Sequence, residues 1–310
     1  MINLVTGGAG FIGSYLIDNL IQKNEKVICL DNFSTGTIEN IKRWVKNPNF
    51  RLINHDIINP IELDINKIWH FACPASPYHY QLDPINTSKI NFLGTYNMLE
   101  LAKTTNAKIL IASSSEIYGD PELHPQAETY NGSTKTFSDR ACYVEGKRIA
   151  ETLSFDFNKI HKTDIRVARI FNTYGPRMLS NDGRVISNFI CQALMGKDIT
   201  VYGKGYQTRC FCFIDDLIKG LNKLMFSQYS KPVNLGSQKE LSIIELAKLI
   251  KRKVNNKANI IYKDLPNDDP MRRKPDLSLA KDILNWESYT SIEDGIDKTI
   301  NYFSEILKKR

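Results

Sequence analysis

A doubly wound, parallel α/β sheet with a smaller C-terminal lid is the fold class this sequence predicts, on three observations. Strand-length apolar runs alternate with longer amphipathic stretches through the first half. A glycine-rich turn follows the first apolar run directly and opens the first amphipathic one. A length of 310 residues, 42% apolar and 24% charged, suits one large domain with a smaller partner and excludes a disordered or collagen-like chain.

Taken in order, INLVTG reads as the first strand and Phe11–Gln22 as the first helix. KVICLD is the second strand, residues 37–45 a helix, and FRLINHD the third strand. IWHFA, a long helical segment over 84–104, KILIAS, a helix over 139–160 and DIRVARI complete the first half. Such alternation builds a parallel sheet with helices on both faces. The second half is less regular: helices over 185–195, 215–225 and 242–252 are interleaved with ITVYG, TRCFCFI, PVNLG and NIIYK, followed by a polar PNDDPMRRKPD loop. The expected division is a dinucleotide-binding domain over 1–172, with 205–236 returning to it, and a substrate-binding domain from 173–204 and 237–310.

The formal charge of +7 admits nucleic acid, an anionic membrane or a phosphorylated small molecule as partner, or a merely basic surface. Six cysteines (Cys29, Cys73, Cys142, Cys191, Cys210, Cys212) form no C-x-x-C pair, which reads as reduced thiols. Cys210 and Cys212, two apart, are expected on one buried strand face. His55, His70, His79, His124 and His161 show no ligand spacing, so no metal is expected. No apolar stretch approaches a membrane span, and the strand pattern from Ile2 leaves no room for a signal peptide. A soluble, cytoplasmic protein is expected.

Gly7, Gly8, Gly10 and Gly13 sit where backbone N–H groups at a helix N-terminus approach a pyrophosphate. Asp31 ends the second strand 18 residues after Gly13, where an acid accepts from both adenosine ribose hydroxyls and repels a 2′-phosphate. Asn32 follows it with no arginine alongside, which favours NAD over NADP. Asp56 reads as an adenine contact or as a strand-end cap. Tyr143 and Lys147, four apart on a helix, share a face. A free tyrosine has a pKa of about 10 and is a poor base at neutral pH; a neighbouring ammonium favours the phenolate. Ser115, just past a strand C-terminus, where open α/β sheets bind ligands, completes a Ser–Tyr–Lys set.

Together these motifs make a Rossmann-type sheet and resemble the extended short-chain dehydrogenase/reductase family, over essentially the whole chain. Within it the match is narrower, to members that decarboxylate a UDP-linked glucuronate. FACPASPYHYQ, ASSSEIYGDP and ACYVEGKRIAETL carry it, with RIFNTYGPRM, NDGRVISNFI, VYGKGYQTR and DDPMRRKPD. The departures are Val144 in place of Asp, Leu179 in place of His, Ser138-Asp139 in place of Gly-Pro, and a divergent stretch over 130–137. They touch no proposed catalytic group.

The resemblance implies bound NAD held by Gly7, Gly10, Phe11, Ile12, Gly13, Asp31, Asn32, Phe33, Thr35, Gly36, Asp56, Ile57, Phe71, Ala112 and Thr173, with Tyr143 and Lys147. It implies Tyr143 as base, Lys147 as its partner and Ser115 on the sugar O4. Glu116 would position water or assist proton transfer at C5, and Arg273 would hold the carboxylate or the enolate that replaces it. Asn172, Arg184, Arg209 and Arg273 would hold the rest of a UDP-sugar, arginine forks suiting a diphosphate. A homodimer through a four-helix bundle is also implied. The rivals are a sister 4-epimerase or 4,6-dehydratase, a decarboxylase that releases the 4-keto pentose, and a non-catalytic nucleotide- or RNA-binding protein. Glu116 directly after Ser115, with RRKPD downstream, favours decarboxylation; the full Ser–Tyr–Lys set argues against pure binding.

Overall fold

The computed structural model describes residues 1–254, 257–265 and 269–308. Asp268, in the DDPMRRKPD segment, lies outside the described residues.

The first half runs β1 (Ile2–Thr6), α1 (Phe11–Gln22), β2 (Lys26–Asp31), β3 (Phe50–Asn54) and β4 (Lys67–His70). It continues through α2 (Pro77–Leu82), α3 (Pro84–Lys89), α4 (Thr95–Thr105), β5 (Lys108–Ser114), α5 (Ala141–His161) and β6 (Ile165–Ile170). The second half adds β7 (Thr173–Tyr174), α6 (Val185–Leu194), β8 (Ile199–Tyr202), β9 (Thr208–Cys210), β10 (Cys212–Phe213), α7 (Ile214–Phe226) and β11 (Pro232–Leu235). Then follow β12 (Glu240–Ser242), α8 (Ile243–Val254), β13 (Ile260–Lys263), β14 (Arg272–Arg273), α9 (Ser278–Leu284) and α10 (Ile292–Lys308).

Seven parallel strands form the main sheet in the order β11-β6-β5-β4-β1-β2-β3. The period-2 alternation of the strands divides the core between two faces. Leu4, Ile28, Ile68, Ile109 and Ile111 join a cluster with Met98 and Leu99 of α4 and Phe157 of α5. Val5, Val27, Cys29, Trp69 and Leu110 point the other way, into a cluster with Leu16 and Leu20 of α1 and Leu217 and Leu221 of α7. Both faces are thus covered, and the ligand-binding edge lies where β1, β4 and β5 end.

Four expectations are corrected. Residues 37–45 form two 3₁₀ turns, Ile38–Asn40 and Lys42–Trp44, and no α-helix. The Thr37 N–H and the Asn40 amide both bond the Ala9 carbonyl (3.1 and 2.9 Å), which ties the segment to the glycine-rich turn. The 84–104 helix is interrupted by a π turn at Ile90–Gly94. It brings Asn91 against Gly146 of α5, where a Cβ would stand 2.8 Å from that of Asn91. The return to the main sheet begins at α7, not at 205: β9 pairs instead with β12 and β14 in a three-stranded lid sheet. Cys210 and Cys212 are both buried, but not on one strand face: Cys210 ends β9 in the lid sheet, and Cys212 opens β10, which pairs with β7.

Candidate active site

The Gly7–Gly13 turn fits a dinucleotide. Gly7 takes a φ of +67° and donates its N–H to the Leu30 carbonyl (2.8 Å). No side chain caps α1, so its N-terminal N–H groups stay available to a phosphate. A Cβ on Gly13 would stand 2.3 Å from the Gly7 carbonyl oxygen. Gly13→Ala is therefore expected to cost about 1–3 kcal/mol by overpacking and to abolish the added melting temperature that NAD gives the parent chain, read in thermal melts with and without NAD.

Asp31 accepts from the Ala9 N–H (2.9 Å) and the Phe33 N–H (2.8 Å). Burial pushes its carboxyl up, while the two N–H groups pull it down. Asn32 donates to Asp56 (2.9 Å), which also accepts from the Ile58 N–H (3.1 Å) and lines the cleft.

One cavity of about 550 Å³ runs from this turn to the lid sheet. Every site residue expected from the sequence lines it except Gly8, packed against Cys29 and Ile17, and the pair Phe33 and Gly36. Those two act behind Asp31: Phe33 holds it by its N–H, and a Cβ on Gly36 would meet the carboxylate at 2.8 Å.

In α5, Lys147 is buried and donates to the Ala112 carbonyl (2.9 Å), with its Nζ 5.7 Å from the Tyr143 ring centre. Burial pushes the Tyr143 hydroxyl well above its ordinary value, and a hydrogen bond from Ser114 only partly offsets that. Ser114 and the expected Ser115 line the cavity side by side next to Tyr143, and it is Ser114 whose hydroxyl lowers the Tyr143 value. Tyr80, which sequence reasoning did not single out, stacks on Tyr143 with ring centres 5.0 Å apart and planes 7° from parallel. Its hydroxyl is buried with no hydrogen-bond partner.

Beyond Tyr80 lies a charged cluster. Pairing of β14 with β9 sets Arg273 beside Arg209. Glu116, in the 3₁₀ turn Ser115–Tyr118, accepts from Arg273 Nη1 (2.6 Å) and from Arg140 Nη1 (3.3 Å). Asp269 faces Arg209 (3.1 Å) and Arg140 (3.7 Å). Burial pushes the Glu116 carboxyl up, but Arg273 and Arg140 outweigh it and hold the carboxyl at about 2. Because the folded value is depressed, the acid is ionised at every pH above that value. No titration of Glu116 is therefore expected in the acid limb of the pH–kcat profile near the ordinary 4.5, a point the profile itself checks.

Gln126, fully buried, holds the arginine strand in place. Its N–H donates to the Lys274 carbonyl, its carbonyl accepts from the Asp276 N–H, and its side-chain oxygen accepts from the Lys274 N–H, each at 2.8 Å. Arg184 is held by Asp182 through Nε and Nη2, its guanidinium 5.9 Å from the Phe11 ring centre. Among the described residues, no group of His, Cys, Asp or Glu could hold a metal ion.

Residues 4–299 match the family described as GDP-mannose 4,6 dehydratase. UDP-glucuronic acid decarboxylase 1 of Xenopus tropicalis is 51% identical over 305 residues, 98% of this chain and 72% of that protein. UDP-glucuronic acid decarboxylase 2 of Arabidopsis thaliana is 48% identical over 302 residues, 97% of this chain and 68% of that one. Among solved structures, the UDP-glucose 4-epimerase of Thermotoga maritima with UDP-glucose superposes with a TM-score of 0.91 at 27% identity, covering 99% of this chain and 100% of that one. The Bacillus cereus UDP-glucuronic acid 4-epimerase, in complex with UDP-glucuronic acid and NAD, gives 0.89 at 26% identity, with 99% and 100% covered. With about half of its residues shared with decarboxylases over nearly its full length, the chain belongs to the UDP-glucuronic acid decarboxylases of the extended short-chain dehydrogenase/reductase family.

Proposed function

We propose that this protein converts UDP-glucuronate to UDP-xylose and CO₂ with an NAD that is reduced and reoxidised within each turnover. A carboxylate on a saturated sugar carbon has no electron sink; a ketone at C4 makes it a β-keto acid, whose carbonyl accepts the electrons as an enolate. NAD, when bound, would create that ketone by accepting the C4 hydride and would return the hydride afterwards. Gly7–Gly13 and Asp31 would hold its pyrophosphate and ribose. Tyr143 takes the O4 proton and gives it back at the end, Lys147 favours its phenolate, and Ser114 and Ser115 bond the oxygens.

Arg273 holds the C6 carboxylate and then the charge of the enolate. Glu116, held ionised, orients Arg273, Arg140 and water at C5 and does not donate a proton of its own. Arg184, Arg209 and Asn172 are assigned to the diphosphate and its neighbouring oxygens. The observation that carries the decarboxylase reading is Arg273, 5% exposed, whose Nε and Nη2 have no partner at the far end of a cavity shared with Tyr143. Such a fork matches a carboxylate.

The test is incubation with UDP-glucuronate while CO₂, NADH absorbance and the product's NMR spectrum are followed. UDP-xylose without lasting NADH is expected. UDP-galacturonate as sole product overturns the reading, and NADH with the 4-keto pentose overturns the hydride return.

A homodimer through α3, α4 and α5 is supported by exposed apolar side chains there: Phe92, Leu93 and Tyr96 after α3, and Ile149 and Phe155 on α5. Light scattering is expected to give twice 35.4 kDa; a species of 35.4 kDa alone would refute it. A cytoplasmic site is supported by six free cysteines, and no helix among the described residues is long and apolar enough to cross a membrane.

A further inference from the structure

Tyr143 and Lys147 are not the only side chains by which α5 meets the end of β5. Lys147 donates to the Ala112 carbonyl (2.9 Å), and one turn further on Glu151 accepts from the Ser113 hydroxyl. Spacings of four set Tyr143, Lys147 and Glu151 along one side of the helix. The chemistry above uses the first two and leaves Glu151 without a task.

The Glu151 side chain is 14% exposed and that of Arg169, its partner, 11%. Arg169 holds both carboxylate oxygens, Nε on Oε1 (3.1 Å) and Nη2 on Oε2 (2.8 Å). It stands on β6 directly opposite Ser113 of β5. Its remaining nitrogen, Nη1, donates to the Tyr118 hydroxyl (2.9 Å) and the Glu128 carbonyl (2.9 Å). Tyr118 donates in turn to Asn234 on β11 (2.8 Å) and closes the 3₁₀ turn that carries Ser115 and Glu116. One ion pair thus fastens the helix of the base to the strand end, and the same arginine fastens the turn of the serine and the acid. A well-packed apolar pair of similar volume often stabilises a fold as much as a desolvated ion pair. Stability alone therefore does not account for the pair.

We propose that Glu151 is a positioning residue of the reaction: clamped by Arg169, it sets how α5 rests on the end of β5, and with it where the Tyr143 hydroxyl stands against the Ser115–Glu116 turn. The inference rests on the role given to Tyr143 in the decarboxylase reading. Glu151 does not line the cavity and acts through its neighbours. In Glu151→Gln the amide oxygen still accepts from Ser113 and from Arg169 Nε, but the amide nitrogen meets Arg169 Nη2, donor against donor. The clamp loosens on one side while the volume is kept. A displacement of about 1 Å at a reacting group costs on the order of 10²-fold in rate.

The test is steady-state turnover of UDP-glucuronate by the full chain with NAD. Each rate is divided by the concentration of UDP-binding sites counted by calorimetry, so that unfolded molecules drop out. Glu151→Gln is expected to lower kcat per site by about 10²-fold and to leave KM unchanged. Ser113→Ala, which removes the bond to β5 and spares the ion pair, is expected to lower it by a smaller factor. A kcat per site equal to the parent's means that the pair serves the fold alone and overturns the proposal, as does a loss carried wholly by KM. Should Glu151→Gln yield no UDP-binding sites, Ser113→Ala decides by the same two measures. A parent that turns UDP-glucuronate into something other than UDP-xylose overturns the decarboxylase reading alone, since the rate per site still reports on Tyr143. A parent without turnover overturns both.

Discussion

Tyr143→Phe is expected to lower kcat on UDP-glucuronate by about 10²–10⁴-fold, the span attributed to a positioned acid–base group. The change removes one oxygen and leaves the ring, so the stack on Tyr80 and the Lys147 bond to Ala112 persist. NAD is expected to stay bound, because the glycine-rich turn and Asp31, which would hold its pyrophosphate and ribose, are untouched. Single-turnover absorbance at the NADH band, alongside an NAD titration, separates the two quantities. The structure sharpens what Tyr143 needs. Burial pushes its hydroxyl above the ordinary value, and Ser114 offsets part of that. Turnover that survives in the phenylalanine variant would show that another group takes the O4 proton.

The second large effect falls on Arg273. Arg273→Ala removes the edge that faces the carboxylate and strips Glu116 of its 2.6 Å partner. Breaking a buried, hydrogen-bonded charge pair costs about 2–5 kcal/mol, much of it from the charge left behind. A fall in kcat/KM for UDP-glucuronate of about 10²–10³-fold is expected on that scale. Affinity for UDP, which lacks the carboxylate, should barely move. Arg273→Lys should recover only part of the loss, because an ammonium keeps the charge and loses the planar fork. Steady-state kinetics with UDP-glucuronate and competition by UDP make the comparison. Equal losses for both ligands would mean that the lid sheet, and not carboxylate recognition, had been damaged.

The sheet, its helices and the two motif positions were legible in the sequence because local pattern decides them. Strand alternation, the glycines after β1 and the Tyr143–Lys147 spacing each involve residues within a few positions of one another. What the sequence hid is set by long-range register. Ser114 and Ser115 are adjacent in chain, and which of them meets Tyr143 depends on how β5 ends against α5. Tyr80 sits on a six-residue helix capped by Ser76, and only tertiary packing lays its ring on Tyr143. Gln126 and Arg273 are 147 positions apart, joined through the backbone of Lys274 and Asp276. The helix expected over 37–45 fails for a related reason: bonds to Ala9 override a weak helical pattern.

The lid sheet that carries Arg209 and Arg273 is built from strands of two and three residues, whereas the dinucleotide cleft rests on strands of four to seven. Local opening is cheapest where few backbone bonds must break at once. Fraying of β14 from β9 carries Arg273 away from Arg209, which stays paired to β12, and leaves the glycine-rich turn and Asp31 untouched. The enzyme thus holds its two ligands on parts of unequal permanence. The cofactor sits on the slow, cooperative part of the molecule and can outlast many visits of the sugar nucleotide, which must come and go through the part that opens first.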